Sequence, residues 1–410
     1  MKFIYPLLLL SILFTACSDE PGTGNNSSAP TTQQADTIKG TPGTFYDRYS
    51  GMAGNQRIVL NLVKYKHTLA VSYYKVSDNR PVMLMAVADS TAPADEFILK
   101  EGRNAEITWH LKQANGKLTG EVTNASNNKE PVNLSVDYPE GSYKLVTYCY
   151  DGAGRLLEHY EQPQATAAYG MVWPAGSWDA EHAAFAHSRI SIGMDLEGGN
   201  GVEEGLKTRA KRYFAGYRNE LRSVVDSNWP EMKRKDVAYH YTTTFYHHVI
   251  YNDQSWLVLK NAMTSYTGGA HGMYSSRFQN MDMKSERDWD INQVLNDTVA
   301  LKPYLELAAR DYFGVQSTED ISSRLLVTEI PATSNFYVTP SGLTFVYNPY
   351  EIASYADGEI QLFIPYEKLM NLLTRDFKER MNFTPSTGTA LNRLRESRIN
   401  TAQHLSFNQL

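Results

Sequence analysis

The sequence predicts a multidomain protein in which an all-β domain is followed by an α+β domain. Between residues 45 and 151, short apolar runs recur roughly every 8 to 14 residues, as in antiparallel strands joined by turns. Beyond residue 178, helical periodicity and strand patterns are mixed. We predict six segments: a signal peptide (1–17), a tether (18–44), an all-β domain (45–151), a linker (152–177), an α+β domain (178–381) and a polar tail (382–410).

The N-terminus has the layout of a lipoprotein signal peptide. Lys2 is followed by an apolar stretch from Phe3 to Phe14 and then by Thr15-Ala16-Cys17. That stretch is shorter than the about 20 residues a helix needs to span a bilayer. We therefore expect cleavage before Cys17 and attachment of lipid to this cysteine, which would anchor the mature chain to a membrane. An ordinary cleaved signal followed by a chance cysteine is the alternative.

The segment after Cys17 is polar and poor in large apolar residues. It cannot bury enough surface to offset its ordering entropy, so we expect a flexible tether. Its start, Ser18-Asp19-Glu20, resembles the surface-export signal of Bacteroidota lipoproteins. The expected location is the cell envelope, with the lipid in the outer membrane and the body either surface-exposed or periplasmic.

The all-β domain is predicted to be an antiparallel barrel or sandwich of eight strands. Asn115-Gly116 is the clearest turn, because both residues tolerate positive φ. The predicted strands are Arg57–Val63, Leu69–Val76, Val82–Val87, Glu96–Lys100, Glu106–Leu111, Lys117–Val122, Val132–Val136 and Tyr143–Cys149.

The predicted linker is low in hydrophobicity and contains Pro163 and Pro174. After it, Phe185–Met194 is predicted to be a strand. Gly201 then opens the longest helical pattern of the chain, which Pro230 stops. The basic face of this helix is expected to be solvated, and no nucleic-acid partner is expected.

The rest of the α+β domain is predicted to be an antiparallel sheet with shorter helices. Asn252-Asp253 should form the first turn. Strands and helices do not alternate strictly, which favours an α+β fold over a doubly wound parallel sheet. The predicted strands are Tyr239–Tyr251, Trp256–Thr264, Tyr274–Met283, Asn335–Thr339, Leu343–Tyr347 and Glu359–Ile364, and the predicted helices are Lys302–Phe313 and Tyr366–Arg380.

The charge is uneven along the chain. The formal net charge is −6, and residues 236–368 carry 16 acidic against 8 basic side chains. An acidic surface favours cationic partners and repels nucleic acid. The alternative is that this asymmetry serves solubility alone.

The sequence contains no established catalytic or metal-binding motif. There is no HExxH, GxSxG, P-loop or GxGxxG pattern. His247 and His248 are adjacent on a predicted strand, so their side chains point to opposite faces and cannot chelate one metal. We therefore expect no metal or cofactor and a non-enzymatic function, although an acidic pair such as Asp288 and Asp290 leaves glycoside hydrolysis open.

One motif stands out between two predicted strands. It reads Tyr266-Thr267-Gly268-Gly269-Ala270-His271-Gly272. Its three glycines permit positive φ and a close approach by another chain. His271 is therefore either a ligand-contacting residue or a hydrogen-bonded structural histidine.

This strand–YTGGAHG–strand unit resembles the exported domain of the lysozyme-sensing anti-sigma factors of the RsiV type. It is similar also to the accessory domain of PdaC-type peptidoglycan deacetylases. The stretches 343–352, 353–358 and 364–366 continue the resemblance, which covers about half of the chain. The resemblance implies an α+β fold and a lysozyme-like or other cationic protein ligand. It implies binding residues Tyr266, Thr267, Gly268, Gly269, His271, Gly272, Tyr347, Tyr350 and Glu351.

Three functions remain open at this stage. The first is a non-enzymatic binding lipoprotein of the cell envelope. The second is an envelope hydrolase acting on peptidoglycan or another glycan. The third is a structural envelope protein without a discrete ligand.

Overall fold

The computed structural model describes residues 40–87, 93–102, 106–194, 196, 201–224 and 236–383. The predicted signal peptide, Cys17, nearly all of the tether, Pro230 and residues 384–410 of the tail lie outside the described residues. Among the residues that are described, no helix is long and apolar enough to cross a membrane.

The first part of the chain is a closed antiparallel barrel of eight strands. The barrel closes because β1 pairs with β2 on one side and with β8 on the other. Buried aromatic and aliphatic side chains fill its interior, including Tyr49, Leu60 and Trp109. Its strands are β1 (Phe45–Ala53), β2 (Gln56–Tyr65), β3 (Thr68–Lys75), β4 (Val82–Ala86), β5 (Glu96–Glu101), β6 (Thr108–Ala114), β7 (Lys117–Thr123) and β8 (Lys129–Val136).

The structure confirms the predicted all-β class of this domain, and of the two predicted alternatives it shows the barrel and not the sandwich. The Asn115-Gly116 turn is confirmed, since both residues have positive φ (50° and 71°) and join β6 to β7. The set of strands differs, however. β1 was not predicted, and Tyr143–Cys149 was predicted as the eighth strand, but its residues 145–149 pair with residues 170–174 in a second sheet. Apolar spacing reveals a strand but does not tell which sheet it joins.

The second sheet has six strands in the order β14-β13-β12-β11-β10-β9. Its strands are β9 (Leu145–Arg155), β10 (Gln164–Pro174), β11 (Thr242–Asp253), β12 (Trp256–Tyr266), β13 (Met273–Asp282) and β14 (Arg287–Asp288). All neighbours are antiparallel except β10 and β11, which run parallel and are joined by a long helical connection. The turn between β11 and β12 is formed by Gln254-Ser255, not by the predicted Asn252-Asp253.

Residues 152–177, predicted as a linker, are largely strand. Nearly all of them belong to β9, to β10 or to the turn between these two strands. Alternate residues of β10 are buried, among them Ala165, Ala167 and Tyr169. Two of these positions are alanine, so the alternation carries little hydrophobic signal and was mistaken for a polar connection.

Among the described residues between β10 and β11 are the α-helices α1 (Ala180–Met194) and α2 (Val202–Leu221). The prediction of a strand at Phe185–Met194 is wrong. Ala186, Ile190 and Met194 are fully buried at four-residue spacing, whereas Ile192 is 69% exposed. Alternating apolar residues at 190, 192 and 194 imitate a strand, but only the helical stripe faces the core. The predicted long helix is confirmed as α2, but it ends at Leu221, before the predicted stop at Pro230.

The last part of the chain contains a three-stranded antiparallel sheet and short helices. The strands are β15 (Phe336–Val338), β16 (Gly342–Tyr347) and β17 (Ile360–Pro365), and the helices are α3 (Ile291–Val294), α4 (Lys302–Phe313), α5 (Tyr366–Leu369) and α6 (Arg375–Arg380). The predicted helix at 302–313 is confirmed, whereas the predicted helix at 366–380 is two short helices. This sheet and its helices share one apolar core with residues of β11–β13.

Barrel and six-stranded sheet are joined by buried hydrogen bonds. Tyr65 donates through its hydroxyl to the carbonyl oxygen of His247 at 2.9 Å, and Ser72 donates to that of Val249 at 2.6 Å. Arg48 reaches from β1 to the end of β11. The barrel is therefore packed onto the sheet that carries the candidate site.

Candidate binding site

The predicted motif lies at the turn of the β12–β13 hairpin. Gly268 and Gly269 have φ angles of 84° and 100°, which residues with a Cβ rarely adopt. A Cβ on Gly268 would lie 2.8 Å from the carbonyl oxygen of Ala238, whereas one on Gly269 would meet nothing within 4 Å. The glycines therefore let this turn form and let it approach neighbouring backbone closely.

His271 is exposed at this turn, and its hydrogen bonds define its tautomer. Nδ1 lies 2.9 Å from the carbonyl oxygen of Gly272, which can only accept, so Nδ1 carries the proton of the neutral ring. Nε2 is then the acceptor, and the hydroxyl of Tyr350 lies 3.3 Å from it. The imidazole is thus held in one orientation by partners from two segments of the chain.

Aromatic rings extend this arrangement into a surface. The His271 ring stacks on Tyr355 with centroids 4.2 Å apart and planes inclined by 26°. Tyr350 lies beside both, at 6.4 Å from the His271 ring and 5.7 Å from the Tyr355 ring. Tyr355 also donates to the carbonyl oxygen of Gly272 at 2.8 Å. We call the three rings of His271, Tyr350 and Tyr355 the His271 surface.

The loop that supplies the two tyrosines is tied to the hairpin by Asn348. Its side-chain oxygen accepts a hydrogen bond from the backbone N–H of Ser276 on β13 at 2.6 Å. Its own backbone N–H donates to Glu351 at 2.8 Å, which closes the loop, and Tyr350 adopts a φ of 71° within it. These bonds pre-organise Tyr350, which is 50% exposed.

The predicted site residues divide between this surface and the core. Tyr266 donates to the carbonyl oxygen of Gly269 at 3.1 Å, so it shapes the turn, and Thr267 is exposed beside it. Tyr347 is 1% exposed and donates to the carbonyl oxygen of Pro331, so it is not available to a ligand. Tyr355 was not selected from the sequence, although it follows Tyr350 in the segment that carries the resemblance.

The two segments that build the His271 surface contain acidic side chains but no lysine or arginine. These segments, 261–276 and 347–359, include Glu351, Asp357 and Glu359. The Glu359 side chain is only 10% exposed and is paired with Lys260, and Asp357 is half-buried, so Glu351 is the most exposed carboxylate of the two segments. Within the part of the chain that the structure describes, no group of three or more His, Cys, Asp and Glu side chains is placed to hold a metal ion.

The part of the chain that contributes Tyr350 and Tyr355 matches a known family model. The match covers residues 293–367, and the model is described as a protein of unknown function, DUF3298. Residues 293–367 form a DUF3298 family domain. This domain comprises α4 and the three-stranded sheet, whereas His271 lies before it in the chain.

Two solved structures of the DUF3298 family are similar to this chain. A member from Bacteroides fragilis NCTC 9343 is 24% identical with a TM-score of 0.52, and the match covers 58% of this chain and 97% of that one. A DUF3298 family protein from Pseudomonas aeruginosa PAO1 is 15% identical with a TM-score of 0.40, covering 58% and 98%. At 24% identity, the similarity to the Bacteroides fragilis protein supports a shared fold and nothing further. The comparison with curated proteins found no match.

Proposed function

We propose that this protein is a non-enzymatic binding lipoprotein of the cell envelope that contacts a cationic, lysozyme-like protein through the His271 surface. The observation that carries the proposal is the stack of His271 on Tyr355, with centroids 4.2 Å apart, next to the half-exposed Tyr350. Exposed aromatic rings held in fixed positions contribute large contact area at a low entropic cost when a partner binds.

The charge distribution supports a cationic partner. Glu351 stands exposed beside Tyr350, and the two segments that form the surface contain no lysine or arginine that would repel such a partner. Complementary charge on two proteins raises the rate at which they associate, and added salt weakens this attraction. The resemblance of the YTGGAHG hairpin to lysozyme-sensing domains points to the same class of ligand.

The proposed anchor rests on the sequence pattern around Cys17, which lies outside the described residues. Expression in a Bacteroidota host with radiolabelled palmitate tests it directly. We expect label on the wild type and none on Cys17→Ala, with the variant released into the soluble fraction. Equal labelling of both proteins would contradict the anchor while leaving the binding proposal intact.

Binding is tested with immobilised mature protein and c-type lysozyme at low and high salt. We expect binding at low salt, loss of affinity of about tenfold or more for Tyr350→Ala and for Tyr355→Ala, and a weaker loss for Glu351→Gln, because aromatic anchors dominate interface energies. Tyr160→Ala is the matched control, since Tyr160 is also partly exposed (37%) but lies in the β9–β10 turn.

A second cationic protein separates charge from shape. Cytochrome c has a similar positive charge without the lysozyme fold. Binding of lysozyme alone supports a lysozyme-like ligand, and binding of both supports a cationic ligand of broader class. If neither protein is retained at low salt, or if Tyr160→Ala weakens binding as much as Tyr350→Ala, the proposal fails.

A further inference from the structure

A second feature of the molecule is a groove between helix α4 and strand β17. Its volume is about 390 Å³, which lies within the size range of small-molecule pockets in proteins. Tyr304, Leu307 and Tyr312 of α4 line one side, and Phe363 of β17 lies among the residues of the other. The loop between β3 and β4 of the barrel adds Arg80, so two parts of the fold build the groove.

The α4 side of the groove exposes apolar surface. Leu307 is 51% exposed and Tyr312 is 38% exposed, although the same helix buries Leu305 and Ala309 in the core. Single exposed apolar side chains are common on protein surfaces, but those that line a concave surface can cover the apolar part of a ligand. The groove therefore offers contact to the aliphatic or aromatic part of a small molecule.

Arg80 is held at the groove by an aromatic ring and by its own loop. Its guanidinium carbon lies 4.3 Å from the centroid of the Phe363 ring, which is a cation–π contact. Its backbone N–H donates to the Asp78 side chain at 3.1 Å, and that of Asn79, at a φ of 50°, donates to the carbonyl oxygen of Lys75 at 2.8 Å. The Arg80 side chain forms no hydrogen bond or ion pair with any residue that the structure describes, so its N–H groups are available to a ligand.

The charged lining of the groove is positive in balance. It consists of two basic side chains, Arg80 and Lys368 of α5, against one acidic side chain, Asp311 of α4, which gives a net charge of +1. Lys368 is exposed and, within the described part of the chain, has no ion pair either. A monoanion balances this charge, whereas a dianion would exceed it.

The two cations differ in the way they bind an anion. A guanidinium pairs with a carboxylate through two parallel N–H donors, and an ammonium adds a point charge. We propose that the groove binds a small monocarboxylate whose oxygens accept hydrogen bonds from Arg80 and Lys368, while its aliphatic or aromatic body lies against Leu307 and Tyr312. None of these residues belongs to the His271 surface, and the proposal does not rest on lysozyme binding.

The test is a calorimetric titration of the mature protein, supported by saturation-transfer NMR. The probes are two monocarboxylates, benzoate and hexanoate, their neutral amides benzamide and hexanamide, and inorganic phosphate. We expect saturable binding of at least one of the two acids at millimolar concentration. The amide of that acid should bind about tenfold more weakly or less, because it cannot form a charge-assisted pair with Arg80. Phosphate should bind more weakly than the acid, because it has no apolar body.

Variants of the three charged residues should change the affinity in opposite directions. Arg80→Met and Lys368→Met keep an aliphatic side chain but remove a charge, and each should weaken binding of the acid by about tenfold. Asp311→Asn should strengthen it by about two- to threefold, because it removes the negative charge that repels the ligand. Lys117→Met is the matched control, since Lys117 is an exposed lysine of β7 that does not line the groove.

All four substituted side chains are exposed, and thermal unfolding of each variant checks that it folds. A gain of affinity in Asp311→Asn cannot result from damage to the fold, so it supports the site directly. The proposal is overturned if neither acid binds, if each amide binds as tightly as its acid, or if phosphate binds more tightly than both acids. It is overturned as well if Arg80→Met and Lys368→Met bind the acid as the wild type and Lys117→Met do.

Discussion

Lys260 donates a hydrogen bond of 2.8 Å to Glu359, and this buried ion pair joins the hairpin strand β12 to the residue that precedes β17. The two side chains are 7% and 10% exposed. Tyr274 and Ser276 donate to the other carboxylate oxygen, so Glu359 is satisfied by several donors. Burial alone would raise the pKa of the Glu359 carboxyl, but Lys260 and these hydrogen bonds outweigh it and hold the pKa below its usual value.

Removing one member of this pair should destabilise the fold strongly. Glu359→Gln leaves the Lys260 charge buried without a counter-charge, and Lys260→Met does the same to Glu359. We expect each single variant to lose about 3–5 kcal/mol of unfolding free energy, measured by urea denaturation. The double variant Lys260→Met/Glu359→Leu should lose much less than the sum, because neither charge is then buried alone.

Lys302→Met is the control for this prediction, since Lys302 pairs with Glu329 where both side chains are about half exposed or more. Its cost should stay below about 1 kcal/mol. Additive losses in the double variant would show that Lys260 and Glu359 do not stabilise each other.

The parts of the fold that sequence patterns predicted correctly are those in which local chemistry is decisive. Asn115-Gly116 forms its turn because both residues tolerate positive φ, and the helix at 302–313 ends at Gly314 in the left-handed conformation. The helix α1 was missed because Ile192, exposed at 69%, completes a false alternation with Ile190 and Met194. The exposure of a residue depends on tertiary packing, and the periodicity of a short segment carries no information about that packing.

The candidate site was predictable to a similar degree. The glycine-rich turn and His271 are visible as a motif, and Tyr350 follows from the resemblance. Tyr347 was selected with them but is buried, because it belongs to a strand whose residues are all in the core. Tyr355 joins the surface through stacking on a residue 84 positions away. A contact between such distant segments has no local signal in the sequence.

The buried His247 should make the fold sensitive to acid. Burial lowers the pKa of its imidazole to about 3 in the folded protein, against about 6.5 for an unfolded chain. Between these values the unfolded state binds more protons, so stability is complete above about pH 6.5 and falls as the pH decreases toward 3. We expect His247 alone to contribute a loss of up to about 1.4 kcal/mol for each pH unit in this range, measured by urea denaturation, in addition to that of His248, whose pKa burial also lowers to about 3.

His247→Phe should remove this contribution, so that the difference in unfolding free energy between wild type and variant changes with pH. Val249→Ala serves as the control because Val249 is buried on the same strand and does not titrate. Its cost should be the same at every pH. A pH-independent difference for His247→Phe would contradict the prediction.

The two glycines of the site turn provide a matched pair for backbone strain and steric contact. Both have positive φ, but only at Gly268 would a Cβ meet backbone, at 2.8 Å from the carbonyl oxygen of Ala238. Gly269→Ala should cost about 1 kcal/mol for its conformation alone. Gly268→Ala should cost about 1 kcal/mol more, because the carbonyl group must also move. Equal losses in urea denaturation would mean that the turn relaxes freely at Gly268.

Arg48 should couple the unfolding of the barrel to that of the six-stranded sheet. Its side chain is 2% exposed and donates to Asp253 at 2.5 Å, to the carbonyl oxygen of Asn252 at 3.0 Å and to that of Asp137 at 2.8 Å. Arg48→Met leaves these acceptors without their donor, and we expect a loss of about 3–5 kcal/mol in unfolding free energy.

Native-state hydrogen exchange measures the opening of the barrel and of the six-stranded sheet separately. In the wild type, core amides of the barrel and of the sheet should open with the same free energy, since buried hydrogen bonds join them. In Arg48→Met the barrel amides should open at a lower free energy than those of the sheet. Lys112→Met, which removes an exposed ion pair on the barrel, should leave both sets unchanged to within about 1 kcal/mol. Uniform loss of protection in Arg48→Met would mean that Arg48 stabilises the whole unit without coupling its parts.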